Sequence, residues 1–125
     1  MRPLATLLLT AALALPAGAA LSQGAPRQCF ALRNMDNTRV ADAQTLYARV
    51  RGRDVWRFDM AGACLSRQSS DGLLVSPTGG RATICGPLDV DIRSRYGGME
   101  TPCIVRGVTK LTPQEAAALP KKLRP

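Results

Sequence analysis

The sequence predicts a mainly β domain: a small antiparallel sandwich or barrel-like fold with a short C-terminal helix and two disulfides. Three observations lead there. Apolar and polar residues alternate over several short stretches, the period of half-buried strands. Glycine- and proline-containing turns punctuate the chain between those stretches. Four cysteines follow an N-terminal segment laid out like an export signal, so they are expected in a compartment where disulfides persist.

The chain begins with Met1-Arg2, an apolar run over residues 4–15, the helix-breaking Pro16 and the small-residue site Ala17-Gly18-Ala19. The apolar run falls short of the roughly 20 residues that span a bilayer. Pro26-Arg27-Gln28 before Cys29 does not fit a lipid-attachment site, and no arginine pair precedes the run. Residues 1–19 are therefore expected to be a cleavable signal peptide and residues 20–28 a flexible lead-in. A single β domain over residues 29–111 and a helix with a basic tail over residues 112–125 complete the chain. The mature chain is expected to be soluble, periplasmic or secreted, and to meet the membrane only through its signal.

Residues 29–32 form a first strand expectation and residues 34–38 a polar turn. Leu46, Ala48 and Val50 alternate with Tyr47, Arg49 and Arg51, and Gly52 with its charged neighbours turns the chain. Trp56, Phe58 and Met60 then alternate with Val55, Arg57 and Asp59. These two runs predict the clearest hairpin, with its apolar side inward and its arginines outward. Residues 73–75 and 82–85 predict two more strands, joined through Pro77-Thr78-Gly79-Gly80. Leu88, Val90 and Ile92 alternate with Asp89, Asp91 and Arg93. Tyr96-Gly97-Gly98 opens a loop to Pro102, and residues 103–109 are the last strand expectation. Six or seven short strands separated by turns argue for a compact antiparallel architecture. At the end, Thr112 is a good N-cap, Pro113 suits the first helical position and Glu115 closes a capping box. Pro120 stops the helix ahead of Lys121, Lys122 and Arg124.

Four cysteines allow three pairings. The expectation is Cys29–Cys103, tying the opening strand to the closing one, with Cys64–Cys85 stapling the centre. Metal ligation is disfavoured because the cysteine gaps are long, no C-x-x-C pair occurs and the chain has no histidine. No cofactor is expected.

The net charge of +8 falls to about +7 with the loss of Arg2, and arginine supplies most of the positive charge. Such a domain suits an anionic partner, although the same charge also serves solubility. Tyr47, Arg49, Arg51, Arg53 and Arg57 on the predicted hairpin are the candidate binding residues. Arg49 and Arg51 are expected on one strand face, Arg53 at the turn, and Arg57 on the returning strand. Asp89 and Asp91 are the closest carboxylates in a strand-like context, a spacing that suits acid–base work or a cation, but Arg93 continues their row as a partner. Glu100 stands alone. Nucleophilic catalysis lacks a histidine base and a G-x-S-x-G turn, so the chain is not expected to be an enzyme. The glycine pairs lack the strand–loop–helix context of a phosphate cradle.

The chain carries, in this order, Cys29-Phe30, Cys64 after a Trp/Phe strand, Cys85-Gly86, Pro102-Cys103-Ile104-Val105 and Leu111-Thr112-Pro113-Gln114-Glu115. In these features the mature chain resembles a family of small exported proteobacterial proteins of unknown function. The resemblance implies a periplasmic or envelope location and no activity. The functional expectation is an envelope binding or accessory protein that meets an anionic envelope component through the arginine hairpin, with no nucleic-acid signature evident. The alternative is a disulfide-braced inhibitor or partner of another exported protein, inserting residues 72–80 or residues 94–102, the latter with Tyr96. The oligomeric state is left open.

Overall fold

A computed structural model describes residues 26–66 and 72–125, so the expected signal peptide lies outside the described residues. Among the described residues, nine strands run β1 (Phe30–Ala31), β2 (Met35–Val40), β3 (Thr45–Val50), β4 (Asp54–Met60), β5 (Leu73–Pro77), β6 (Thr83–Ile84), β7 (Val90–Tyr96), β8 (Met99–Cys103) and β9 (Val105–Lys110). The helix α1 (Pro113–Ala118) follows. The strands build a four-stranded antiparallel sheet in the order β2-β3-β4-β9, a three-stranded one in the order β5-β7-β8, and the short pair β1-β6.

The expected hairpin stands at the centre of the four-stranded sheet. Leu46 pairs with Phe58 and Ala48 with Trp56, and all four are buried together with Val50 and Met60. Cross-strand partners share a face, so this register gathers the largest apolar side chains of both strands on one side. Phe30, Ile84, Val90 and Ile92 from the other sheets complete the same apolar cluster. The protein is thus mainly β, with its sheets sharing one core. Only Ile104 separates β8 from β9, so the chain passes there from one sheet to the other, and the Ile104 carbonyl accepts from the Ala61 N–H at 2.8 Å.

The disulfides are Cys29–Cys85 and Cys64–Cys103, not the expected pairs. Register decides the first. Phe30 pairs with Ile84 and Ala31 with Thr83, which brings Cys29 beside Cys85 at a Cα separation of 4.2 Å. The second follows from the corner at Ile104. Met60 pairs with Val105, so Cys64, just past β4, lies beside Cys103, just before β9.

Three local expectations also change. Residues 34–38 are not a turn: a 3-10 turn (Leu32–Asn34) leads into β2, the edge strand of the larger sheet. Its polar residues close that free edge, where the Thr38 N–H donates to Asn37 Oδ1 at 2.9 Å and Arg39 Nη1 donates to the Thr38 carbonyl at 3.0 Å. The loop expected from Tyr96 to Pro102 is a tight hairpin. Gly97 and Gly98 take φ of 57° and 82°, a left-handed pair that joins β7 to β8 directly. The alternation around Leu88 begins one step late, because Pro87–Asp89 is a 3-10 turn and the strand starts at Val90.

Candidate functional site

The fold divides the predicted arginine patch into two groups. On the outer face of the larger sheet, Tyr47 stands directly opposite Arg57 on one side and Arg39 on the other. Arg39 was missed in the sequence because its segment has the composition of a turn. These cations are largely engaged. Arg57 Nε donates to Asp59 Oδ2 at 3.1 Å, and Arg49 Nη1 donates to the main-chain oxygen of the buried Pro125 at 3.3 Å. Arg49 Nε is itself buried with no acceptor among the described residues.

The C-terminal segment that covers Arg49 is folded back deliberately by its own polar groups. Glu115 N donates to Thr112 Oγ1 at 3.2 Å and Thr112 N donates to Glu115 Oε2 at 2.7 Å, forming the expected capping box. Arg124 donates from Nε to the Leu119 carbonyl and from Nη2 to the Ala117 carbonyl, meeting oxygens that the helix end leaves free. The two hydrogen bonds to Thr112, main chain first, hold the Glu115 carboxyl below its ordinary pKa. Desolvation opposes them and the Arg57 charge adds to them.

The second group lies at the β3–β4 turn. Arg49 and Arg51 do not share a strand face, because β3 ends at Val50 and Arg51 takes a left-handed φ of 55°. It is the one non-glycine residue with positive φ among the described residues, a conformation that costs an L-residue about 1 kcal/mol. Its side chain has no carboxylate partner among the described residues, and Arg53, 79% exposed, is 4.0 Å from Asp54 Oδ1. Lys110 enters from β9, with Nζ 3.1 Å from Asp54 Oδ2.

A cavity of about 350 Å³ opens beside this turn, bounded by Gln28, Phe30, Arg51, Arg53, Trp56 and Lys110. Phe30 and Trp56 meet with ring centroids 4.7 Å apart and planes tilted by 50°. Trp56 is 3% exposed, and its indole Nε1 has no acceptor among the described residues. Alternation places Trp56 in the core, but an unpartnered donor there has no sequence signal.

The acidic candidates are committed elsewhere. Asp89 Oδ2 accepts from the N–H groups of Cys85 and Gly86, each at 2.9 Å, and so fixes the turn at the first disulfide. Asp91 accepts from Arg93 Nε at 2.9 Å, and Glu100 accepts from Arg95 Nη2 at 2.6 Å. The row expected to carry two carboxylates therefore holds a turn cap and an ion pair. Tyr96 and Met99 face each other at the tip of the β7–β8 hairpin, 69% and 71% exposed. No helix among the described residues is long and apolar enough to cross a membrane.

No protein-family model, curated protein or solved structure matches this chain, so no residue role is taken from a relative.

Proposed function

We propose that this chain is an exported, non-enzymatic binding protein of the cell envelope, periplasmic or secreted, that contacts an anionic envelope component through its arginine hairpin. Two disulfides in a small domain and the signal-like start support export. One observation carries the choice of surface: Arg51 and Arg53 are exposed at the turn, where Asp54 lies 4.0 Å from Arg53 and the Asp36 carboxylate accepts from the Gly52 N–H, whereas Arg49 and Arg57 are engaged. A contact made by exposed guanidinium groups is electrostatic and weakens as salt shortens the Debye length. The oxidised mature chain should be captured by lipopolysaccharide or anionic-lipid vesicles at low salt and released at high salt. Arg51→Glu with Arg53→Glu should abolish capture while leaving the circular dichroism spectrum unchanged. Capture by neither fraction, or undiminished capture of that variant, would refute the reading.

A second reading follows from the β7–β8 hairpin. Its tip presents Tyr96 and Met99, and its second strand is tied through Cys103 to Cys64. An inhibitor or partner of another exported protein would use this tip. Its binding would persist at high salt and fail on Tyr96→Ala.

A further inference from the structure

We propose that the cavity beside the β3–β4 turn seats a phosphate dianion, the group that free phosphate and a phosphate monoester share. The proposal rests on the reading that the arginine turn binds an anion, and it adds the place and the chemistry of the group.

Most of the accessible lining of this cavity is polar. Gln28 contributes from ahead of β1, Arg51 and Arg53 from the turn, Asp54 from the start of β4 and Lys110 from the end of β9. Phe30 and Trp56 stand behind these side chains, 5% and 3% exposed, and offer a ligand little apolar surface. The lining carries three cations and one carboxylate, a net of two positive charges. Asp36 accepts from the Gly52 N–H at the same turn but does not line the cavity. Such a balance suits a phosphate that brings close to two negative charges better than a carboxylate or a phosphate diester, which brings one. Guanidinium groups match phosphate oxygens with paired N–H donors, and an ammonium adds a point charge.

The main chain that carries these cations is fixed by contacts of its own. Arg51 and Gly52 take φ of 55° and 72°, and the Arg53 N–H donates to the Val50 carbonyl at 3.3 Å, closing a two-residue turn. The Arg51 N–H donates to the Asn34 carbonyl at 2.8 Å and the Gly52 N–H to Asp36, which pins the turn to β2 and the residue before it. Lys110 stands opposite Trp56 in the β4–β9 ladder, with its Nζ 3.1 Å from Asp54 Oδ2. Cys29, also in the lining, is tied to Cys85. Binding therefore orders side chains and not backbone, which keeps its entropy cost low. The turn also retains strain that glycine or asparagine would relieve, at a residue whose guanidinium lines the cavity; ligand sites are where such strain gathers.

The oxidised chain would be titrated at neutral pH and constant ionic strength with inorganic phosphate, glycerol phosphate, dimethyl phosphate and acetate. NMR would follow the main-chain amides of Arg51 and Arg53, the side-chain amide of Gln28 and the Lys110 side chain. The expected result is a saturable shift at all four residues with inorganic phosphate or glycerol phosphate, and binding about tenfold weaker with the two singly charged probes. Arg51→Asn and Arg53→Gln should each weaken phosphate binding about tenfold. Asp54→Asn should tighten it about threefold, a gain that a misfolded variant would not show. Vesicles then separate the sources: capture by phosphatidic acid beyond that by phosphatidylglycerol assigns the phosphate to a lipid headgroup, and soluble binding without it assigns a free phosphate compound. Dimethyl phosphate or acetate binding as tightly as inorganic phosphate would overturn the dianion. Shifts confined to Arg51 and Arg53 would place the anion on the surface; the cavity proposal falls and the broader reading stands. No shift with any probe would overturn the cavity proposal, while envelope capture independently decides the broader reading.

Discussion

The two larger sheets are stabilised in different ways. From β3 and β4 alone, the four-stranded sheet buries Leu46, Ala48, Val50, Trp56, Phe58 and Met60. The three-stranded sheet buries Val90, Ile92, Cys103 and the polar Ser94, and its β5 and β8 are largely half-buried or exposed. On its outer side, Arg93 and Arg95 pair with Asp91 and Glu100, and half-exposed ion pairs of this kind add little stability. Cys103 ends β8 on this weaker side, and Cys85 lies between β6 and β7. Their partners, Cys64 and Cys29, follow β4 and precede β1. The Cys64–Cys103 bond thus ties the sheet with the thinner apolar burial to the end of β4, while Cys29–Cys85 closes the β1–β6 pair beside the buried Phe30 and Ile84, cross-links expected in a small domain with a modest core.

The largest test of this contrast is reduction. The bonds span 56 and 39 residues, and the chain-entropy model assigns each about 4 kcal/mol. A domain of this size is stable by only about 5–15 kcal/mol, so losing both approaches complete unfolding. Denaturant titration of oxidised and reduced protein measures the total. Hydrogen exchange under mild reduction locates it, with the amides of β5, β7 and β8 expected to lose protection before those of β3 and β4. Simultaneous loss in both sheets would show that the domain has no such division.

A smaller change strikes the opposite side. Phe58 is fully buried, and Phe58→Ala should cost about 3–5 kcal/mol by leaving a void among residues that cannot collapse into it. Because this residue serves the sheet that burial holds, its loss should lower protection throughout the domain even with both disulfides intact. Protection lost only in β3 and β4 would mean that the cross-links sustain the second sheet without the first.

The same contrast separates what was legible in the sequence from what was not. Leu46 to Met60 could be read because strand alternation is local, and the helix start could be read because Thr112, Pro113 and Glu115 act on one another within a turn. The disulfides were misread because pairing depends on register between distant strands, Phe30 on Ile84 and Met60 on Val105. Edge strands β2 and β8 were hidden by polar composition, since an edge must discourage further pairing as well as pair. At the candidate site the residue types were legible and their grouping was not. Tyr47 does meet Arg57, but Arg49 lies against Pro125 and Arg51 has left the strand. Long-range folding of the tail and a left-handed turn leave no periodic trace.

The smallest effect concerns the joint between the larger sheet and its tail. The hydrogen bonds from Thr112 keep the folded pKa of Glu115 below its unfolded value. The stabilisation from the ionised box is therefore present above the unfolded carboxylate range and is lost as pH falls through the folded pKa, a window opening below about pH 4. Acid should then loosen α1 and lift Pro125 from Arg49, shifting the Arg49 Nε–H resonance, while the amides of β7 and β8 remain in place. Glu115→Gln keeps an acceptor for the Thr112 N–H but removes the titration, so its Arg49 signal should change less over that window. An Arg49 signal that titrates equally in both proteins would assign the acid sensitivity to another group. One that moved together with β7 and β8 would tie the tail to the whole domain rather than to the four-stranded sheet on which it rests.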